Sequence, residues 1–263
     1  MGILNVTPDS FSDGGRYTEL DQAVAHGLAL VEQGADILDV GGESTRPGSR
    51  PVPPEEQLRR VADVIRELRA RLPSHIDISI DTTSARVARV ALDMGATWIN
   101  DTTAGCADAA ILPLAAERRA PIVLMHHQGT PATMQLDPRY QDVVREVCDF
   151  LATRAEAALA AGVPQGHILL DPGIGFGKSA AHNLSLLAGL ERLVALGFQV
   201  LLGTSRKRFM GAICQGAAPA ELMPATCATT AIGVMAGVRV FRVHDVAANR
   251  QAADLAWAVR RAD

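Results

Sequence analysis

The sequence predicts one α/β domain, a single (β/α)8 TIM barrel that spans residues 1–263. Three observations support this prediction. Eight short apolar runs alternate with segments of helical periodicity, Gly or Pro stands at the junctions, and no linker or low-complexity stretch interrupts the series. Eight strand–helix units in 263 residues are typical of this barrel. A doubly wound parallel sheet is the alternative that the same pattern permits.

The predicted strands are short and are placed by the residues that precede them. A glycine before a strand suits the left-handed end of the preceding helix, and a proline there prevents that helix from continuing. Gly34, Gly95 and Gly237 are of the first kind, and Pro73 and Pro121 are of the second. In chain order, we predict strands at 1–6, 36–40, 76–81, 97–100, 122–125, 168–171, 200–203 and 238–243.

The segments between the strands carry apolar residues every three or four positions, as on the buried face of a helix. Four helices show this stripe most clearly, and Thr18 is the predicted N-cap of the first. Their stripes are Leu20, Val24, Leu28 and Val31; Leu58, Val61, Ile65 and Leu68; Val143, Val147, Phe150 and Leu151; and Leu186, Leu190 and Leu193.

Composition excludes several classes of protein. The formal net charge is −4 and aromatic residues make up 4%, so we expect no nucleic-acid partner. The four cysteines include no CxxC pair, which argues against a zinc site or a disulfide framework and favours the cytoplasm. No apolar run is long enough to span a membrane, and the first ten residues do not resemble a signal peptide.

Every predicted strand ends in polar or ionisable residues. The carboxyl ends of barrel strands carry the chemistry in such folds, and helix capping alone does not explain eight polar endings. We therefore expect the functional site at this edge of the sheet. The endings are Asn5, Asp39, Asp81, Asn100 with Asp101, His126 with His127, Asp171, Ser205 with Lys207, and Arg242 with His244.

Strand periodicity assigns some of these side chains to the inner face. Asp81 alternates with Ile80, and the isoleucine should face the helices, so Asp81 should point inward. Arg242 and His244 share one face by the same count. Carboxylates and cations at one edge suit a polar heterocycle together with an anion.

A glycine-rich segment, Gly173–Ser179, resembles a phosphate-binding loop at its end. The segment matches neither nucleotide-binding pattern. The Walker pattern requires a glycine at position 172, where the chain has Pro172. The dinucleotide-binding pattern requires its third glycine at position 178, where the chain has Lys178. We interpret the segment as a flexible loop after the sixth strand. His126 and His127 are adjacent, so they should face opposite ways and cannot chelate one metal.

Several long motifs resemble those of one enzyme family, dihydropteroate synthase. Residues 1–15 (MGILNVTPDSFSDGG) and 39–48 (DVGGESTRPG) are similar to its two N-terminal signatures. Residues 170–178, 205–207 and 242–245 are similar to later blocks, so the resemblance covers essentially the whole chain. It implies a (β/α)8 fold, a homodimer, and the condensation of 6-hydroxymethyl-7,8-dihydropterin diphosphate with p-aminobenzoate, which yields 7,8-dihydropteroate and pyrophosphate in folate biosynthesis.

The resemblance also implies roles for individual residues. It makes Asn5 a ligand of Mg²⁺, the expected cofactor, and it gives the catalytic set as Asp81, Lys207, Asp13 and Arg46. The last two lie in loops predicted to be mobile and to close over the reacting groups. The pterin ring would contact Asp81, Asn100, Asp171 and Lys207; the diphosphate would contact Arg242, His244 and Thr45; and the carboxylate of p-aminobenzoate would lie near Ser205 and Arg206.

Two alternative functions remain at this point. A barrel that transfers the methyl group of methyltetrahydrofolate would share the pterin positions but would not need the anion pair Arg242 and His244 or the loop that carries Thr45 and Arg46. A non-catalytic pterin-binding protein would keep the pocket and lose turnover. His127 and Thr102–Thr103 depart from the residues common in the family. Arg208 also departs from them, and we therefore expect the p-aminobenzoate subsite to differ in detail.

Overall fold

The computed structural model describes residues 1–7, 16–43, 49, 51–130 and 132–262. Within these ranges the chain alternates strands and helices in the predicted order. The strands are β1 Gly2–Asn5, β2 Ile37–Gly41, β3 Asp77–Asp81, β4 Trp98–Asp101, β5 Ile122–Met125, β6 Ile168–Asp171, β7 Gln199–Leu202 and β8 Val240–Phe241. The helices are α1 Arg16–Glu32, α2 Pro54–Arg71, α3 Ala85–Asp93, α4 Ile111–Arg118, α5 Val143–Ala160, α6 Ala180–Ala188, α7 Leu190–Val194, α8 Arg208–Ile213, α9 Met223–Ala236 and α10 Val246–Arg260.

The strands form one parallel sheet in sequence order, from β1 to β8. An isolated parallel bridge joins Gly2 to Val243, just beyond β8, and the Ile3 amide donates to the Val243 carbonyl at 3.0 Å. The sheet is therefore curled, so that its first and last strands approach each other. In its register Asn5 pairs with Gly41, Gly41 with Asp81, and Asp81 with Asn100.

Strand periodicity separates the two faces of the sheet. Ile78 and Ile80 are fully buried in the main core between sheet and helices, whereas Ser79 and Asp81 alternate with them and point inward. A second, smaller cluster of Val123, Leu169 and Leu201 packs against Trp98. The polar strand ends lie beyond this inner apolar layer.

Local sequence explains where several helices begin. Asp142 accepts from the Arg145 amide and thereby caps α5, and Ser179 and His182 form a reciprocal capping box at the start of α6. Within the described ranges, we find no helix that combines the length and the apolar character that a membrane crossing requires.

Three local predictions are wrong. Helix α1 begins at Arg16, so Thr18 lies inside it and is not its N-cap. The fourth predicted helix is divided into α6 and α7 at Gly189, where an added Cβ would lie 2.8 Å from Val144 Cγ1, so this close contact between helices needs a glycine. The last strand is shorter than predicted, although the Arg242 amide still donates to the Leu202 carbonyl at 3.0 Å.

Candidate active site

One hydrogen-bonded group at the carboxyl edge of the sheet surrounds Arg242. Its Nε donates to Asp39 Oδ2 at 2.6 Å, and its Nη2 donates to Asp81 Oδ2 at 2.8 Å. Asn100 Nδ2 donates to the same Asp39 oxygen at 3.0 Å. The ends of β2, β3 and β4 and the residue after β8 are thus joined in one network, as expected if these strands end at a common site.

This network places two carboxylates around one guanidinium in a buried setting. Burial raises the pKa of Asp81, and Arg242 opposes that shift because it stabilises the charged carboxylate. Asp39 is fully buried, and its Oδ1 has no hydrogen-bond partner among the described residues. The same holds for the hydroxyl of Ser79, its neighbour in the sheet register. Unpaired buried polar atoms next to a strand-end cluster are typical of a site built for a ligand or ordered water.

A second part of the site joins β6 to the residues after β7. Asp171 Oδ1 accepts from the Gly173 amide at 2.7 Å. Burial raises the pKa of Asp171 to about 6, and the Gly173 amide and Lys207 both act against that rise. Burial, followed by the nearby Arg242, lowers the pKa of Lys207 to about 8. A carboxylate and an ammonium therefore both titrate close to neutral pH in this half of the site.

Space between the two halves depends on a glycine. A Cβ on Gly203 would lie 3.9 Å from Asp171 Oδ2 and 3.9 Å from Arg242 Cβ. A larger side chain there would fill the gap between Asp171 and Arg242. A flat polar ring that enters this gap would meet carboxylates from β3 and β6 and cations from the segments after β7 and β8.

A third group lies beside the segment after β8. Ser205 Oγ lies 2.9 Å from His244 Nδ1 and also accepts from the His244 amide at 3.1 Å. Because the hydroxyl oxygen already accepts one bond, its proton can be donated to Nδ1, which leaves the ring proton of neutral His244 on Nε2. Arg206, with a left-handed φ of 57°, binds Asp245 through two hydrogen bonds of 3.0 and 2.7 Å.

The structure brings most of the predicted site residues to one edge of the sheet. Asn5 ends β1 and is half-buried, in register with Gly41. Asp13, Thr45 and Arg46 lie outside the described residues, as do most of the two loops predicted to close over the site. The residues brought to this edge are Asn5, Asp81, Asn100, Asp171, Ser205, Arg206, Lys207, Arg242 and His244.

Sequence reasoning missed two contributors to this site. The sequence places Asp39 at a strand end without indicating a role, although its alternation with Leu38 and Val40 puts it on the inner face. The sequence predicts a flexible loop at Lys178, yet the residue is only 2% exposed. No periodic signal marks Lys178, because its position depends on contacts between a loop and a neighbouring strand.

Comparison with known proteins agrees with this geometry. A model of the family described as pterin binding enzyme matches residues 1–244. Dihydropteroate synthase of Mycobacterium leprae is 48% identical over 255 residues, which cover 95% of this chain and 89% of that protein. This chain belongs to the dihydropteroate synthase family. The function is therefore that of a dihydropteroate synthase, a pterin-binding transferase of folate biosynthesis.

Solved structures of this family superpose closely on the chain. Xanthomonas albilineans dihydropteroate synthase with 4-aminobenzoic acid is 47% identical, with a TM-score of 0.92, and the match covers 99% of this chain and 92% of that one. The Yersinia pestis dihydropteroate synthase in complex with a sulfonamide drug is 40% identical, with a TM-score of 0.91 and coverage of 99% and 94%. These relatives carry the name of the synthase that the motifs predicted, and not that of a methyltransferase.

Proposed function

We propose that the strand-end cluster is the pterin subsite of this synthase. The observation that carries the proposal is the convergence of Asp81, Asn100 and Asp171 with Lys207 at one edge of the sheet. A pterin edge offers ring N–H and amino donors and one carbonyl acceptor. Asp171 and Asp81 accept from the donors, and Lys207 donates to the carbonyl.

The reaction transfers the dihydropterin methylene group to an amine. The bond between the methylene carbon and the diphosphate oxygen breaks, and a bond between that carbon and the amine nitrogen of p-aminobenzoate forms. The leaving pyrophosphate takes the electron pair of the broken bond, and the amine loses one proton to solvent. The nearby carboxylates Asp81 and Asp171 stabilise the positive charge that develops on the pterin methylene group.

Arg242 and His244 are the proposed partners of the diphosphate. Arg242 uses Nε and Nη2 for its two carboxylates, so those contacts do not engage Nη1. The bond between Ser205 and His244 orients the imidazole so that Nε2 can donate. Positive groups aimed at the departing oxygens stabilise the charge of the leaving group. Thr45, Asp13 and Arg46 are proposed to complete the site from the two loops.

Asn5 is the proposed protein ligand of Mg²⁺. Its amide oxygen is a ligand type that Mg²⁺ accepts, and this ion commonly binds through few protein ligands together with substrate phosphates. A Cβ on the neighbouring Gly41 would lie 3.4 Å from Asp81 Cβ, so the glycine keeps space open between Asn5 and Asp81. The residues present therefore fit such an ion. When bound, Mg²⁺ supplies positive charge that assists the departure of pyrophosphate.

The backbone N–H of Ser205 and the side chain of Arg206 are the proposed contacts of the p-aminobenzoate carboxylate, because the Ser205 hydroxyl proton is used on His244. The guanidinium of Arg206 gives Nε and Nη2 to Asp245, which leaves its Nη1 group outside those two bonds. Asp245 thus orients Arg206 for a second anion. Helix α8 has only six residues, so we assign this subsite to the side chains and not to the helix dipole.

The remaining proposals concern architecture and location. The bridge between Gly2 and Val243 supports a closed (β/α)8 barrel made by residues 1–263 as one domain.

A homodimer is supported by large apolar side chains that α9 and α10 expose, namely Ile232, Met235, Leu255 and Val259. The four cysteines are free thiols, which supports the cytoplasm as the location.

The test of the proposed reaction is pyrophosphate release from 6-hydroxymethyl-7,8-dihydropterin diphosphate. Release should require p-aminobenzoate, should be accompanied by an equal amount of 7,8-dihydropteroate, and should stop when EDTA removes Mg²⁺. Release without p-aminobenzoate would indicate a hydrolase. Pterin binding without any release would indicate a binding protein that has lost turnover.

A further inference from the structure

The chain contains only two lysines among its cationic residues. Of 25 Lys and Arg residues, two are lysine, which leaves 25 − 2 = 23 arginines. Lys207 belongs to the proposed pterin subsite. Lys178 has no role in the reaction described above, yet both lysines contact the same residue, Phe176.

Lys178 is buried among neutral acceptors. Its Nζ lies 2.8 Å from His126 Nδ1, 3.0 Å from the Phe176 carbonyl and 3.4 Å from the His126 carbonyl. No carboxylate forms a salt bridge with it within the part of the chain that the structure describes. A buried ammonium without a close counter-ion is costly, and a methionine would fill similar space with less desolvation. A role in filling the core therefore does not explain a lysine here.

The loop that carries Lys178 is pressed against the continuation of β5. Gly173 and Gly177 have left-handed φ angles of 65° and 64°. A Cβ on Gly173 would lie 1.8 Å from the His126 carbonyl oxygen, and one on Gly177 would lie 2.3 Å from the Gln128 carbonyl oxygen. At these two positions the backbones can approach this closely only because the residues are glycines. The ammonium of Lys178 links the same two segments through His126.

Phe176 connects Lys178 to the pterin subsite. The carbonyl oxygen of Phe176 accepts a hydrogen bond from Lys178 Nζ. The centroid of the Phe176 ring lies 4.1 Å from Lys207 Nζ. On the same loop, a Cβ on Gly175 would lie 3.1 Å from Lys207 Cδ. The loop therefore packs along the aliphatic part of the Lys207 side chain. A cation over an aromatic face is attracted to it, more strongly where water is excluded. The position of the Phe176 ring therefore affects the position of the Lys207 ammonium.

We propose that Lys178 is a positioning residue for pterin binding: its ammonium ties the loop after β6 to the end of β5 and holds Phe176 against Lys207. This inference rests on the proposed pterin subsite and adds a residue to its support. Lys178 also lies within electrostatic range of Asp171, whose charged form it favours. Arginine does not replace it easily, because a guanidinium is larger and planar, whereas the ammonium is compact and has three donors.

The scarcity of lysine makes a direct experiment practical. Protein labelled with ¹⁵N and ¹³C only in lysine shows two sets of side-chain signals, one from Cε and Nζ of each lysine. Titration of the wild type with 6-hydroxymethyl-7,8-dihydropterin should move both sets with one common dissociation constant. Movement of the Lys207 signal alone would show that Lys178 is not coupled to the subsite and would overturn the inference. This measurement does not depend on any variant being able to fold.

Three variants then separate positioning from general stability. Lys178→Met should shift the Lys207 signal in the free protein and weaken pterin binding about tenfold, with a larger effect on the KM for the pterin substrate than on kcat. Phe176→Leu should do the same. The double variant should lose less than the sum of the two losses, because both substitutions break one chain of contacts.

Leu187→Ala is the matched control, because Leu187 is a buried residue of the following helix α6 that lies outside the proposed subsites. It should lower the melting temperature while it leaves the pterin affinity and the Lys207 signal unchanged. The inference is contradicted if Lys178→Met binds the pterin as the wild type does. A wild type that binds no pterin would instead overturn the proposed function.

Discussion

Asp39 and Arg242 lie 203 positions apart in the chain and are joined by a hydrogen bond of 2.6 Å between Oδ2 and Nε. Asp39 belongs to β2, and Arg242 follows β8, so this bond crosses the place where the two ends of the sheet meet. It fixes the guanidinium so that Nη2 faces Asp81. The orientation of the Arg242 guanidinium thus depends on the approach of the first and last strands of the curled sheet.

Replacement of Asp39 by Asn should weaken this arrangement. The amide cannot provide the charge that pairs with Arg242, so we expect a loss of about 1.5–3 kcal/mol in the free energy of unfolding, the scale of a hydrogen bond to a charged group. Chemical denaturation measures it. Asp36→Asn is the control, because Asp36 is exposed and lies 3.4 Å from Arg250. Its effect should stay within about 0.5 kcal/mol, and equal losses in both variants would contradict the role of Asp39.

Asp171→Asn should stabilise the free protein at neutral pH. The folded pKa of Asp171 is raised to about 6 by burial, above the ordinary value of 3.8. The charged form therefore costs stability above pH 6, and the cost disappears below about pH 4, where the carboxyl group is protonated in both states. Asn keeps an oxygen for the Gly173 amide.

We expect this variant to gain about 1–3 kcal/mol in the free energy of unfolding at pH 7, given about 1.4 kcal/mol for each pKa unit. The gain should disappear at pH 4. Thermal melts at the two pH values measure the change. A variant that is less stable than the wild type at pH 7 would show that the charge of Asp171 does not oppose folding.

Pterin affinity should depend on pH on both sides of neutrality. On the acid side, protonation of Asp171 near pH 6 removes an acceptor of pterin donors, and burial raises the pKa of Asp81 in the same direction. On the alkaline side, Lys207 loses its proton near pH 8 and then donates more weakly. Affinity for 6-hydroxymethyl-7,8-dihydropterin measured between pH 5 and 9 should therefore pass through a maximum near neutral pH. A flat profile would contradict recognition by these charged groups.

Arg242→Ala should weaken pyrophosphate binding more than it weakens binding of a pterin without phosphates. Arg242 is the proposed partner of the diphosphate, but it also balances the charge of Asp81 through a bond of 2.8 Å. Some loss of pterin affinity is therefore expected, mainly at low pH, where Asp81 then protonates more easily. Calorimetric titrations with the two ligands compare the losses. Equal losses for both ligands would assign Arg242 a structural role alone.

The sequence was sufficient to predict the order of the strands and the edge of the sheet where the candidate site residues gather, because periodicity and strand endings are local signals. Asp81 faces inward as its alternation with Ile80 predicts. The roles of Asp39 and Lys178 were not predicted, since they depend on contacts between distant segments: Asp39 with Arg242 across the ends of the sheet, and Lys178 with His126 across a loop. The break at Gly189 was missed for the same reason, because it is a contact with Val144 that requires the glycine.

The measurement that tests the pterin subsite most directly is calorimetric titration of wild type, Asp171→Asn and Asp36→Asn with 6-hydroxymethyl-7,8-dihydropterin at pH 7.5. Asn offers one oxygen, already used by the Gly173 amide, and replaces the second acceptor with a donor. We predict that Asp171→Asn loses about 1.5–3 kcal/mol of binding free energy, whereas Asp36→Asn binds as the wild type does. Wild-type affinity in Asp171→Asn would contradict the placement of the pterin at this edge of the sheet.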